Sequence, residues 1–167
     1  MKKSNYSAFS ALVIIFSFWG FVASSNDILI PVFKKSLHLS QQKAQWISVA
    51  FYIAYTVGSL LYFLVSWLMR RDLLKSIGFR NGLSLGLVIS ALGTLLFIPA
   101  ANFGSFELLL SGLFIVGIGF SLQQIAANPL AINMGDPTTG NLRLSLAGGV
   151  NNVGTTFAPR FSPDGRW

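Results

Sequence analysis

The sequence contains no cysteine, a single histidine and few charges of either sign. Without cysteine, neither a disulfide framework nor a thiolate metal site can form. The one histidine, His38, lies in a short polar stretch beside few carboxylates, and the chain offers no metal centre. Only 10% of the 167 residues are charged, whereas a soluble domain carries about 25%. A soluble fold must cover its surface with polar groups. With 53% hydrophobic residues and a mean hydropathy of +0.62, this chain has too few. Catalytic signatures are missing as well: there is no P-loop, no serine elbow and no pair of carboxylates that spacing brings together, so no enzyme and no bound cofactor is expected. The net charge is +7, but the basic residues flank apolar runs instead of forming a stripe with aromatics, which argues against nucleic acid.

The apolar runs themselves are long. No charge occurs in Ser4 to Asn26, Ala44 to Met69, Asn81 to Phe106 or Leu108 to Met134. Crossing a bilayer core of about 30 Å takes about 20 apolar residues of helix, and each run suffices. Barrel strands would alternate apolar with polar over about 9–11 residues; these runs are longer and apolar on successive positions. The expected fold is an all-α integral membrane protein, a multi-pass helical bundle. Its spans are expected at about 9–31, 46–68, 81–101, 106–134 and 142–159. An opening of Lys2 and Lys3 before an apolar segment also suits a signal peptide. Apolar character resumes at Ile28-Leu29-Ile30, however, and further spans follow.

Short-loop Lys and Arg residues set orientation. Lys2, Lys3, Arg70, Arg71, Lys75, Arg80 and Arg143 fall on one side, against Lys34, Lys35 and Lys43 on the other. The expected N-terminus is therefore cytoplasmic, in a cell (inner) membrane with lipid as the surrounding partner.

Polar residues inside the spans carry the functional information. Asp27 is embedded between Phe21-Val22 and Ile28-Leu29-Ile30. A carboxylate in hydrocarbon costs about 2.5–3.5 kcal/mol on insertion scales, so it faces a cavity or partner by default. Low polarity raises its pKa and suits it to proton exchange. The alternative is a hydrated position near the outer end, with Lys34 two turns away. A second cluster is Gln123-Gln124-Ile125-Ala126-Ala127-Asn128-Pro129. Gln124 and Asn128 are four apart and share a helix face. Pro129 lacks an N–H and is expected to interrupt the helix there, giving either a hydrated path of the kind transporters use or amide glue between helices. The third cluster, Gly148-Gly149-Val150-Asn151-Asn152 through Gly154-Thr155-Thr156, reads as a packed polar helix. Glycines at 82, 86, 93, 112, 117 and 119 suit close helix contact.

Asn26-Asp27-Ile28-Leu29-Ile30-Pro31 and Ala126-Ala127-Asn128-Pro129 resemble the fucose and glucose/galactose permease branch of the major facilitator superfamily. So do Phe18-Trp19-Gly20-Phe21 and the stretch from Arg143-Leu144-Ser145-Leu146-Ala147 to Asn151-Asn152-Val153-Gly154. The resemblance implies a two-lobed alternating-access carrier for a monosaccharide such as glucose, galactose or fucose. It implies coupling to H+ or Na+ through Asp27, with residues 1–159 forming part of the N-terminal lobe. The fourth-helix glutamate of fucose symporters falls at Gln124, which cannot titrate. That places the sequence nearer the glucose/galactose members and leaves sodium coupling or facilitated transport open. The fifth-helix glutamine falls at Gly148, leaving Asn151 as the sugar contact. The substrate-binding set is Asn26, Gln124, Asn128, Asn151 and Asn152. Residues 160–167 depart from the family as a polar tail, so the chain is expected to be a truncated fragment that shows no sugar uptake by itself. The competing expectation is a transport-inactive membrane protein, either a gene remnant or a helix-packing subunit.

Overall fold

A computed structural model describes the backbone of residues 6–156 and the side chains of 7–24, 30–35 and 37–156. Its elements are helices: α1 (Tyr6–Ser36), α2 (Gln41–Leu68), α3 (Leu73–Ile77), α4 (Phe79–Leu95), α5 (Phe97–Phe103), α6 (Phe106–Asn133), a 3-10 turn (Pro137–Thr139) and α7 (Gly140–Thr156). Among the described residues there is no strand. Among the described residues, four segments are long and apolar enough to cross a membrane: Ser7–Ser24, Gln41–Leu68, Phe79–Phe103 and Phe106–Asn133. The helix α7 does not reach that standard within the described residues, and the expected end of its span and the 160–167 tail lie outside them.

Local chemistry explains the boundaries. The Oγ of Ser40 accepts from the Lys43 N–H and caps α2. Arg70, at φ +50°, ends it. The Asp72 carboxylate accepts from the N–H groups of Leu74 and Lys75 at 3.1 and 3.3 Å and starts α3. The stretch from Arg70 to Arg80, whose basic residues were counted as short-loop charges, thus contains a helical turn. Gly104, at φ +61°, closes α5 in the left-handed conformation that glycine adopts freely. Ser105 then accepts from Leu108 N–H at 3.2 Å to open α6.

The chain divides into two compact units, one built from 6–32 and 128–156, the other Phe33–Ala127. In the second unit, α4 and α6 meet along glycines. A Cβ on Gly86 would lie 2.7 Å from the Gly119 carbonyl oxygen, and one on Gly93 would lie 2.8 Å from that of Gly112. The pairs are seven residues apart on each helix and run in opposite order, so α4 and α6 are antiparallel. The glycines expected to serve packing do so here. In the first unit, α1 and α7 touch backbone to backbone: a Cβ on Gly20 or Gly154 would overlap the carbonyl of Asn151 or Ser17. Small residues allow this approach, which supplies dispersion contact where no hydrophobic drive exists.

Burial follows the same logic. On α1, Leu12, Phe16 and Trp19 are buried while Ile14 and Phe18 are exposed, as a helix with one protein face and one hydrocarbon face requires. The helix α6 is the most buried of the four spans, in keeping with its apolar character on every side. One expectation fails: α6 is not interrupted at Pro129, which lies inside the continuous helix. The proline sits one turn from its end, so a single ladder bond is forfeited. Ala126, Ala127 and Ala131 on either side are fully buried.

Candidate functional site

The polar side chains of the second unit cluster on two faces of α6. Towards α4, Gln123 is 2% exposed. Its Nε2 donates to the Gly86 carbonyl at 3.0 Å and to Ser90 Oγ at 2.8 Å. The small residues that bring the helices together also bring this backbone acceptor within reach, and the amide bonds α4 to α6. Towards α2, Gln124 is half-buried. Its Oε1 accepts from the Tyr55 hydroxyl at 3.0 Å, which fixes the amide plane. Its Nε2 has no partner among the described residues. One turn before Gln124 on α6 stands Phe120, whose ring lies 6.1 Å from Tyr55 and 5.8 Å from Phe51. Below this patch, Ser59 and Ser121 hydroxyls are 3.1 Å apart, and fully buried Ser121 packs against Gly58. An oriented amide bordered by aromatic faces is the composition of a small-molecule contact: mostly apolar, with a few placed polar groups.

In the first unit, Asn151 Nδ2 donates to the Phe16 carbonyl at 3.0 Å. Its amide is thereby tied to α1 at the Gly20–Gly154 approach. Asn152, the next residue, is exposed, and its carbonyl accepts from Thr155. Asn128 is half-buried, one turn beyond Gln124 along α6. Gly148 and Gly149 have open space where a Cβ would stand. Asn26 and Asp27 lie within helical α1, but their side chains are outside the described residues. Gln124 belongs to one unit; Asn128, Asn151 and Asn152 belong to the other.

Sequence reasoning missed three residues. Tyr55 is one polar aromatic in an apolar span, with no spacing signal tying it to Gln124. Gln123 was noted beside Gln124, but its separate role follows only from the α4 contact. Arg143 was counted only for orientation. Its guanidinium caps the C-terminal end of α6: Nε donates to the Ala131 carbonyl at 3.0 Å, and Nη2 donates to the carbonyls of Ile132 and, at 2.9 Å, Asp136. Nη1 donates to Thr139 Oγ1 at 2.7 Å. The Ala131 and Ile132 carbonyls are orphan acceptors that a helix end leaves, met by a cation at the negative end of the dipole. The Asp136 carboxylate is occupied by the Thr138 hydroxyl and N–H, which hold its pKa below the ordinary value, with Arg143 adding to the effect.

A family model described as Major Facilitator Superfamily matches residues 4–163. The chain belongs to this superfamily. Among its superfamily relatives, a glucose/galactose transporter of Brucella abortus biovar 1 (strain 9-941) is 38% identical over 161 residues, covering 96% of this chain and 37% of that protein. The L-fucose-proton symporter of Escherichia coli (strain K12) is 34% identical over 160 residues, covering 96% of this chain and 35% of that one. A crystal structure of the E. coli fucose:proton symporter superimposes with a TM-score of 0.75 at 29% identity, over 97% of this chain and 40% of that chain. The chain thus spans 35–40% of the length of these superfamily members. The all-α membrane fold and the sugar-permease branch expected from the sequence are both borne out.

Proposed function

We propose that this chain forms part of a secondary carrier for a monosaccharide of the glucose, galactose or fucose type. In this reading the carrier sits in the cell (inner) membrane with its N-terminus cytoplasmic, and it transports its substrate without chemically altering it. The observation that carries the reading is Gln124. It is a neutral amide, oriented by Tyr55, with its donor end unpartnered among the described residues and with the rings of Phe51 and Phe120 nearby. A sugar presents hydroxyl oxygens to such a donor and C–H faces to such rings. Asn26, Asn128, Asn151 and Asn152 are the further amides assigned to substrate. Asn151 acts chiefly by keeping α7 against α1. The names of the relatives, sugar transporters and sugar–proton symporters, support the same substrate class.

Asp27 is assigned to coupling with H+ or Na+, because an acid inside an apolar helix changes charge at the lowest reorganisation cost when it gains a proton or a cation. The test is a carrier in which residues 1–156 replace the aligned stretch of the E. coli symporter, reconstituted in liposomes. Asp27→Asn is expected to abolish gradient-driven accumulation while sugar binding persists, since Asn keeps the shape but carries neither proton nor cation partner. Accumulation that survives this change would overturn the coupling assignment. A chimera that folds but neither binds nor moves sugar would favour a transport-inactive membrane protein.

A further inference from the structure

The C-terminal end of α2 carries a groove that the transport reading does not use. It has a volume of about 440 Å³ and is lined by Tyr62, Phe63, Trp67, Arg70, Arg71 and Asp72 among others. Phe63 and Trp67 are one turn apart on α2 and are 60% and 69% exposed, so they form a continuous aromatic wall on one side of the helix. The left-handed Arg70 then ends α2 and turns the chain, so that Arg71 and Asp72 line the same groove as the aromatics.

The charges in this groove are not balanced. Asp72 is already engaged: its Oδ1 accepts from Tyr62 hydroxyl at 2.9 Å and from two N–H groups of α3, and its Oδ2 lies 3.8 Å from Lys75 Nζ. Among the described residues, neither Arg70 nor Arg71 has a carboxylate within ion-pair distance. Two exposed guanidiniums therefore stand at the end of an apolar span, above an aromatic wall. A guanidinium presents a planar fork of donors that matches phosphate oxygens. A tryptophan at a span's end sits at the level of lipid headgroups.

The geometry points to a binding site for an anionic phospholipid, with the headgroup phosphate held by Arg70 and Arg71 and an acyl chain laid along Phe63 and Trp67. A soluble phosphate would satisfy only the cationic half of this groove. The lipid satisfies both halves, and it reaches the site by lateral diffusion within the bilayer that α2 crosses. The inference requires membrane residence but not transport, so it stands or falls independently of the sugar site.

The test is native mass spectrometry of the full 167-residue chain in detergent, titrated separately with phosphatidylglycerol, phosphatidylcholine and glycerol 3-phosphate. Each basic residue near an anionic lipid surface is worth about five-fold in affinity, so two should give phosphatidylglycerol a preference of about twenty-five-fold over phosphatidylcholine. Arg70→Gln with Arg71→Gln should remove that preference, whereas Arg80→Gln, outside the groove, should keep it. If the double variant does not fold, Arg71→Gln alone is expected to lose about five-fold. Three results would overturn the site. One is equal binding of the two lipids. Another is an equal loss in Arg80→Gln, which would mean diffuse loop charge. The third is displacement of phosphatidylglycerol by equimolar glycerol 3-phosphate, which would mean a plain phosphate site.

Discussion

Gln123 and Gln124 are neighbours in sequence, yet they belong to two different kinds of surface. The face of α6 that carries Gln123 is closed: glycines bring α4 to within a backbone's width, and the amide donates to Gly86 and Ser90. The face that carries Gln124 is half-open: the amide is half-buried beside aromatic rings, and among the described residues only its oxygen is bonded. A step of about 100° around the helix separates the two. In a membrane, where an unpaired amide costs several kcal/mol, polarity alone does not identify a substrate contact. What favours one is polarity whose hydrogen bonds are left incomplete among the described residues.

The comparison can be broken most severely at the closed face. Gly86→Leu places a branched side chain where a single Cβ already comes within 2.7 Å of the Gly119 carbonyl. Overpacking of this kind costs about 1–3 kcal/mol or more, and the thermal midpoint of the detergent-solubilised chain should fall sharply. Gly148→Ala, which meets nothing within 4 Å, should leave it unchanged. Next in size is Gln123→Leu, which removes the bonds to α4. Interhelical hydrogen bonds in membranes are worth about 0.6–1.7 kcal/mol, so the midpoint should drop measurably while sugar affinity is spared.

The open face should respond in the opposite sense. Gln124→Ala should leave the midpoint in place and weaken sugar binding several-fold in the reconstituted chimera, consistent with about 0.5–1.5 kcal/mol for one hydrogen bond. Tyr55→Phe should give a smaller loss, because it frees the amide to rotate without removing it. An equal drop in thermal midpoint for Gln123→Leu and Gln124→Ala would erase the distinction between the faces.

The smallest effect concerns pH and lies outside the spans. The Tyr62 hydroxyl, together with the α3 N–H groups and Lys75, holds the Asp72 carboxyl below its ordinary value of 3.8. A lowered folded-state pKa stabilises above the unfolded value and is lost as pH falls through the folded one. Stability should therefore be flat from pH 7 to 5 and decline only below about 3.8. Asp72→Asn should flatten part of that decline in acid unfolding curves.

The architecture was legible because charge-free runs of the right length leave little else for a chain to do. The glycine periodicity was legible as packing, though not which helices it joins, since partner choice depends on contacts far apart in sequence. The same distance hid Tyr55, which is 69 residues from Gln124. Pro129 misled because a proline one turn from a helix end forfeits a single ladder bond, and the helix continues through it. The substrate role proposed for Gln124 was suggested by its position in the motif, but its half-open hydrogen bonding was not. Gln123 carries the same letter one position earlier and does the opposite work.

Arg143 has a mechanical consequence. From the first turn of α7, its one guanidinium grips the last carbonyls of α6 and the turn that follows. A connection with that many bonds through a single planar group resists bending and twisting together. The last turn of α6 and the first turn of α7 therefore move as one stiff elbow. Bending at this corner would have to break several of these hydrogen bonds together, so strain along the chain would be taken up elsewhere first.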